Sequence, residues 1–386
     1  MKSIFKSIIL FAVVLSTAWI YVSCSDDELA NGGEPRIRYV RITKPTASDS
    51  LLVGAFQNNL VAIVGDNLED AKEIWFNDQP ALLSPVYITK TSILVTVPSK
   101  IPGEITNKMT IVFGNGKTLE HPFVVEISEP VLDNMKSEFV NEGHVALIRG
   151  DFFYEPLKVT FTGGVEGEVL EVAADAKSIE VIVPAGAAPG PITVTTNFGE
   201  GTSNFWFHDN RNIFISSDPF TGWWNADFVV MNPGEGDPEK INGNYIRVNR
   251  AIGAWSWVEV AGGPPSAMGD ISKNIPSEAI LHPEDYNLKF EVNTLKPYNG
   301  NVIKITAGLK NDFNNDEFRW FPPYDTKGEW QTVVIPFETV AASYGGGLQV
   351  SDAGYYTRLL FHGPGALDAD ISFDNFRIVP KVYEVE

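Results

Sequence analysis

Residues 251–260, AIGAWSWVEV, set two tryptophans and a glutamate at alternate positions. Alternate side chains of a strand share a face, so Trp255, Trp257 and Glu259 are expected on one side, with Val258 and Val260 on the other. With the valines toward a core, two indoles and a carboxylate face outward. Indole rings complement the flat C–H faces of pyranose sugars and add an N–H donor, while a carboxylate accepts from hydroxyls. Stacking on tryptophan immobilises only two side-chain torsions, so its entropic cost is small. The alternative, indoles packed into a core, stands beside this reading.

Two further aromatic groups follow the same logic. In FRWFPPYDTKGEW (318–330), Pro322 and Pro323 are expected to interrupt a strand ladder. Trp320, Phe321 and Tyr324 then fall in a loop, where binding residues concentrate. In TGWWNAD (221–227), only one of Trp223 and Trp224 can face a ligand if the segment is extended. Trp330, inside EWQTVVIPF, reads as packing. The glycan-binding candidates are therefore Trp223, Trp224, Trp255, Trp257, Glu259, Trp320 and Tyr324.

Other chemistries are not spelled out. GNGKT at 114–118 lacks the first glycine of a phosphate loop, since Ile111 stands there, and it reads as a hairpin turn. DFNNDEF places Asp312, Asn314 and Asp316 as a calcium loop would. Glu317 replaces the required glycine, however, and Pro323 the final glutamate. A structural calcium elsewhere in the sandwich stays open, but no metal ligands are identified and no cofactor is implied. The five histidines are scattered, and neither a zinc-protease helix motif nor a serine-hydrolase elbow occurs. A glycosidase needs only two suitably spaced carboxylates, which 49 acidic residues can supply. A surface glycoside hydrolase acting through such a pair in the C-terminal region is thus the alternative, although that region is shorter than the ~250 residues of a TIM barrel. An adhesin that binds protein is a third class.

The whole chain frames these residues. It has 386 residues and a net charge of −20, which repels nucleic acid and favours a neutral partner. Short alternating segments broken by Gly, Pro, Asn and Asp argue for an all-β protein. Lys2 and Lys6 precede an apolar run from Ile8 to Val22, too short for a convincing transmembrane helix, and then Ser23-Cys24. Cys24 is the single cysteine, so no disulfide forms within the chain. Ser25-Asp26-Asp27-Glu28 follows it. This arrangement resembles a bacterial lipoprotein cleaved before Cys24, with Tyr21 where such motifs carry Leu. The acidic run resembles the signal that exports lipoproteins of Bacteroidota to the cell surface. The resemblance implies a lipid anchor on Cys24 in the outer membrane.

Residues 60–80 and 144–164 repeat one another, as do SILVTVPSKIPGEITNKMTIVFGNGKT and SIEVIVPAGAAPGPITVTTNFGEGT; Gly65 and Gly150, and likewise Gly114 and Gly199, are 85 apart. That period means two successive small β-sandwiches and not a solenoid. Trp75 and Trp206, the tryptophans of the two repeats, read as core residues of apolar strands. Past 208 the texture changes, and six of the nine tryptophans lie there. NLKFEVN (287–293) alternates, with Leu288, Phe290 and Val292 inward and Asn287, Lys289, Glu291 and Asn293 outward. WQTVVIPF, TRLLFHG and ISFDNFRIV add strands to one larger antiparallel sandwich, jelly-roll-like.

The repeat motifs (G-[DN]-x-[LF], x-V-P, P-G, F-G-x-G) resemble immunoglobulin-like IPT/TIG domains. The expected organisation is a signal peptide at 1–23, a lipidated tether at 24–36, IPT/TIG domains at 37–126 and 127–208, and a glycan-binding β-sandwich at 209–386. GAWSWVEVAGG, FRWFPPYDTKGEWQTVVIPF and ISFDNFRI resemble the xyloglucan-binding domain of Bacteroidota cell-surface glycan-binding lipoproteins. That resemblance implies a non-catalytic protein capturing a neutral β-linked plant glycan: xyloglucan, mixed-linkage glucan or mannan. It also implies a neighbouring TonB-dependent transporter and a partner glycan-binding lipoprotein.

Overall fold

Strands dominate the computed structural model, which describes residues 33–44, 50–218, 220, 222, 226–308 and 317–382. The signal stretch, Cys24, most of the tether, Trp223 and Trp224 lie outside the described residues. Among the described residues no helix is long and apolar enough to cross a membrane. The chain divides into two compact units, one up to Ile127 and one from Ser128 onward.

The first unit folds one repeat. Strands Arg36–Ile42, Leu60–Asp66 and Ser92–Thr96 form one sheet, and Gln79–Pro80, Ala71–Phe76, Lys108–Phe113 and Thr118–Pro122 another. Their alternating apolar residues, among them Ile63, Ile74, Phe76, Ile93, Ile111 and Phe123, fill the space between. The second repeat, from Val131–Met135 to Gly199–Phe207, packs a similar core, but its strands join into one continuous seven-stranded sheet because Val165–Val172 pairs with both Leu157–Phe161 and Ser178–Ile182. The matched glycines show why the repeat is kept. A Cβ on Gly65 would lie 2.0 Å from the Arg36 carbonyl oxygen, and one on Gly150 would lie 1.9 Å from that of Val131. Both let an irregular first strand close onto its neighbour: the register shifts between Ile37 and Tyr39, and again between Leu132 and Asn134.

The two repeat tryptophans are not core residues. Ile74 and Phe76 point inward on either side of Trp75, as Phe205 and Phe207 do on either side of Trp206. Period-two alternation therefore turns both indoles to the other face. There, Trp75 Nε1–H donates to Glu73 (2.8 Å) and the Arg211 guanidinium stacks on Trp206 at 3.6 Å.

The C-terminal region is an antiparallel sandwich. One sheet holds Val229–Val230, Tyr245–Ile252, Leu367–Pro380, Tyr286–Thr294 and Gln331–Pro336, with Ile213–Ile215 paired to Leu367–Pro380. The other holds Val258–Gly263, Tyr356–Phe361, Ile303–Gly308 and Phe318–Trp320. Leu288, Phe290 and Val292 point into the core, where Phe290 stacks on Phe376 at 4.7 Å. Their alternates do not reach solvent as expected, for Lys289, Glu291 and Asn293 are all buried. Glu138, which the second repeat lays across that face, engages Lys289 directly and Glu291 through Arg377, while Asn293 donates to the Gly328 carbonyl (2.8 Å). Lys289 Nζ donates to Glu138 Oε1 (2.5 Å), Arg377 Nη2 to Glu138 Oε2 (2.7 Å) and Arg377 Nη1 to Glu291 Oε2 (2.8 Å). Burial pushes the Glu291 carboxyl up while Arg377 pulls it back. Removing one member of such a set leaves an uncompensated buried charge, so the second repeat and the C-terminal sandwich are coupled.

Candidate functional site

Residues 253–257 carry the chain from strand Tyr245–Ile252 of one sheet to strand Val258–Gly263 of the other. Trp255 and Trp257 thus lie on a connection and not on the strand face that alternation suggested, yet both are exposed, at 62% and 46%. Trp255 sits at φ +58°, a left-handed conformation uncommon for a bulky residue. Its N–H donates to the Gly363 carbonyl (2.6 Å), and the Ser256 N–H to that of Gly253 (3.1 Å), so the turn enforces the conformation. Strain of this kind clusters at ligand clamps and costs ~1–3 kcal/mol. His362 lies between the indoles, its ring centroid 5.5 Å from Trp255 and 5.3 Å from Trp257. His362 is itself fixed by its N–H to Val302 (2.9 Å).

Glu259 does not share this exposure; it is 8% exposed. Its Oε2 accepts the Trp257 indole N–H (3.2 Å) and its Oε1 accepts Arg358 Nε–H (2.6 Å). Arg358, also buried, donates to the Tyr356 hydroxyl and lies 5.6 Å from the Trp257 ring centroid. Both Glu259 oxygens are therefore engaged in holding Trp257 and Arg358. The residue holds the Trp257 indole in place from beneath the surface. Lys304 and Glu317 form a second buried pair in this sheet (2.5 Å), where burial pushes the Glu317 carboxyl up and Lys304 pulls it down. Sequence reasoning took TRLLFHG only as a strand and missed Arg358 and His362. The signal was a cation alternating with core residues: Leu359 and Phe361 face inward, so Arg358 faces the other way.

Trp320 and Tyr324 are not a loop platform. Trp320 ends strand Phe318–Trp320 opposite Ile303, a core residue, and shares its inward face. Its ring packs against Phe290 (5.3 Å), Tyr298 (5.1 Å) and Tyr324 (5.1 Å). Tyr324 and Tyr298 exchange two backbone hydrogen bonds of 2.8 Å, and burial pushes the Tyr324 hydroxyl up. The prolines come after the ladder contact, too late to prevent it, and of that group Phe321 is the one exposed, at 61%. Trp330 packs edge-on against Tyr245 at 5.6 Å and donates to the Glu239 carbonyl (2.8 Å). Trp223 and Trp224 lie outside the described residues.

Comparison with known proteins turns on this same region. The model of the surface glycan-binding protein B xyloglucan-binding domain matches residues 207–380. An IPT/TIG domain-containing protein of Bacteroides ovatus is 30% identical, over 99% of this chain and 100% of that protein. The chain belongs to the surface glycan-binding protein B family. Family membership makes this a protein that binds polysaccharide at the cell surface. The fold agrees. The crystal structure of surface glycan-binding protein PbSGBP-B from Prevotella bryantii has 22% sequence identity and a TM-score of 0.70, over 90% of this chain and 99% of that one. SGBP-B from a complex xyloglucan utilization locus in Bacteroides uniformis has 17% identity and a TM-score of 0.50, over 90% and 100%. These two likenesses are of fold.

Proposed function

We propose that this family member captures xyloglucan, or a related neutral β-linked glucan or mannan, by stacking sugar rings on Trp255 and Trp257 without cleaving the chain. The exposed pair of indoles on either side of His362 carries the reading. Aromatic faces held by a turn and an ion pair lose little freedom when a sugar lands on them. The matching domain model is described as xyloglucan-binding, and a net charge of −20 suits a neutral polymer. Glu259, the acid singled out in the sequence, is committed to Arg358 and Trp257, which argues against a general-acid role. A lipid on Cys24 would hold the protein at the outer membrane, where it would hand glycan to a TonB-dependent transporter and its partner lipoprotein. Affinity electrophoresis on xyloglucan, mixed-linkage glucan, mannan and an acidic pectin tests this, paired with a reducing-sugar assay. Retardation by a neutral β-glycan without new reducing ends is expected. Indifference to all of them, or steady release of reducing ends, contradicts it.

A further inference from the structure

Far along the sequence from the tryptophans, strand Leu367–Pro380 loses its alternation at ISFDNFRI. Asn375 sits at φ +54° and the register against Tyr286–Thr294 shifts between Lys289 and Glu291. The bulge lets Phe373 and Phe376 both enter the core. Asp374 and Asn375 then line a cavity of about 340 Å³, shared with Asn210, Ser216, Asp218 and Asn242. Asp374 is 5% exposed and sits in the interior, while Asp218 is exposed.

Among the described residues no cation makes a hydrogen bond or ion pair with Asp374, and the Arg377 charge acts on it only as the weakest of several influences. Arg377 and Lys289 are spent on Glu138 and Glu291, and Arg211 binds Asp209 through two hydrogen bonds of 2.8 Å. Asp374 Oδ1 accepts only the Asn375 N–H (2.9 Å), and Oδ2 has no hydrogen-bond partner among the described residues. Asn375 Nδ2 is likewise unpartnered and buried. A lone ionised carboxylate in such a place is costly unless a cation joins it.

We propose that this cavity is a calcium site, with Asp374 and Asp218 as its charged ligands. The donors are carboxylates, carboxamides and a hydroxyl, with no imidazole or thiolate, which selects a hard cation. Calcium accepts six to eight oxygens in flexible geometry, whereas magnesium demands a tight octahedron and keeps much of its water. Asn242 donates to Asn210 Oδ1 (2.8 Å) and Asn375 Oδ1 (2.5 Å). Turning these amides over together reverses that chain and presents the Asn375 oxygen to the ion. Asp218 already accepts the Asn244 N–H (2.9 Å), which ties the loop ahead of strand Tyr245–Ile252 to the bulge through the ion. The competing state is a protonated Asp374, toward which its burial also pushes it.

The test uses the full-length chain stripped with a chelator, then given calcium or magnesium chloride. Calcium is expected to raise Tm by roughly 5 °C at saturation, magnesium by much less, and calcium binding should register calorimetrically. Asp374→Asn keeps the side-chain shape, so it should fold in chelator with a Tm no lower than wild type and lose the calcium response. Asp218→Asn should lose it as well. A wild-type Tm and heat signal unmoved by millimolar calcium would overturn the site. So would a full response in Asp374→Asn, which would locate the ion elsewhere, for example at the exposed His282, Glu284 and Asp285 group.

Discussion

The Trp255–Trp257 turn and the Trp320–Tyr324 segment have similar composition and opposite fates. Trp320 closes a strand whose register sets it opposite Ile303, so the ladder turns the indole toward the core, against which it packs partly buried. Residues 253–257 belong to no ladder. They span the gap between two sheets, and with no strand partner to pull them inward the indoles project. What decides whether an aromatic is left exposed or packs on phenylalanine is its place relative to the sheet junction, not its company in the sequence.

Substitutions can break or sharpen this contrast. The largest effect is expected for Trp320→Ala, which removes a ring packed among Phe290, Tyr298 and Tyr324 and should cost ~3–5 kcal/mol of stability. Thermal melts decide it, and an unchanged Tm with lost binding would restore Trp320 as a platform. Trp255→Ala and Trp257→Ala should each leave Tm nearly fixed. Each removes sugar contact on the order of 50–100 Å², about 1–3 kcal/mol, and so weakens binding about tenfold or more. Calorimetric titration with a xyloglucan oligosaccharide reads this directly. Glu259→Gln should lower affinity by only a few fold, measured well below its Tm. It should add nothing in a Trp257→Ala background if it acts through that indole. The smallest effect belongs to Phe321→Ala, exposed but outside the platform, which should stay within ~0.5 kcal/mol in stability and leave affinity alone.

Local pattern carried the reading far. Period-two alternation in NLKFEVN identified Leu288, Phe290 and Val292 as core, and the matched glycines at 65 and 150 marked the same bulged strand pair twice. Exposure of Trp255 and Trp257 was legible, though for a reason that did not hold, since the chain is not a strand there. What escaped was set by partners distant in sequence. Lys289 on the outward face of NLKFEVN is claimed by Glu138, about 150 residues earlier, and Glu259 is claimed by Arg358, 99 residues later. A charged residue in an alternating strand reads as solvent-facing until something supplies its counter-charge, and no window of a few residues contains that information. The same blindness turned Trp75 and Trp206 inward, where an apolar strand was taken to have a single face.

The most direct test of the central claim is a crystal structure of the protein soaked with a xyloglucan heptasaccharide. Glucosyl rings should lie flat against Trp255 and Trp257, at van der Waals distance of roughly 3.5–4 Å, with the indoles hardly moved and Glu259 still bound to Arg358. Density for the sugar elsewhere on the sandwich, with both indoles left in solvent, would contradict the account.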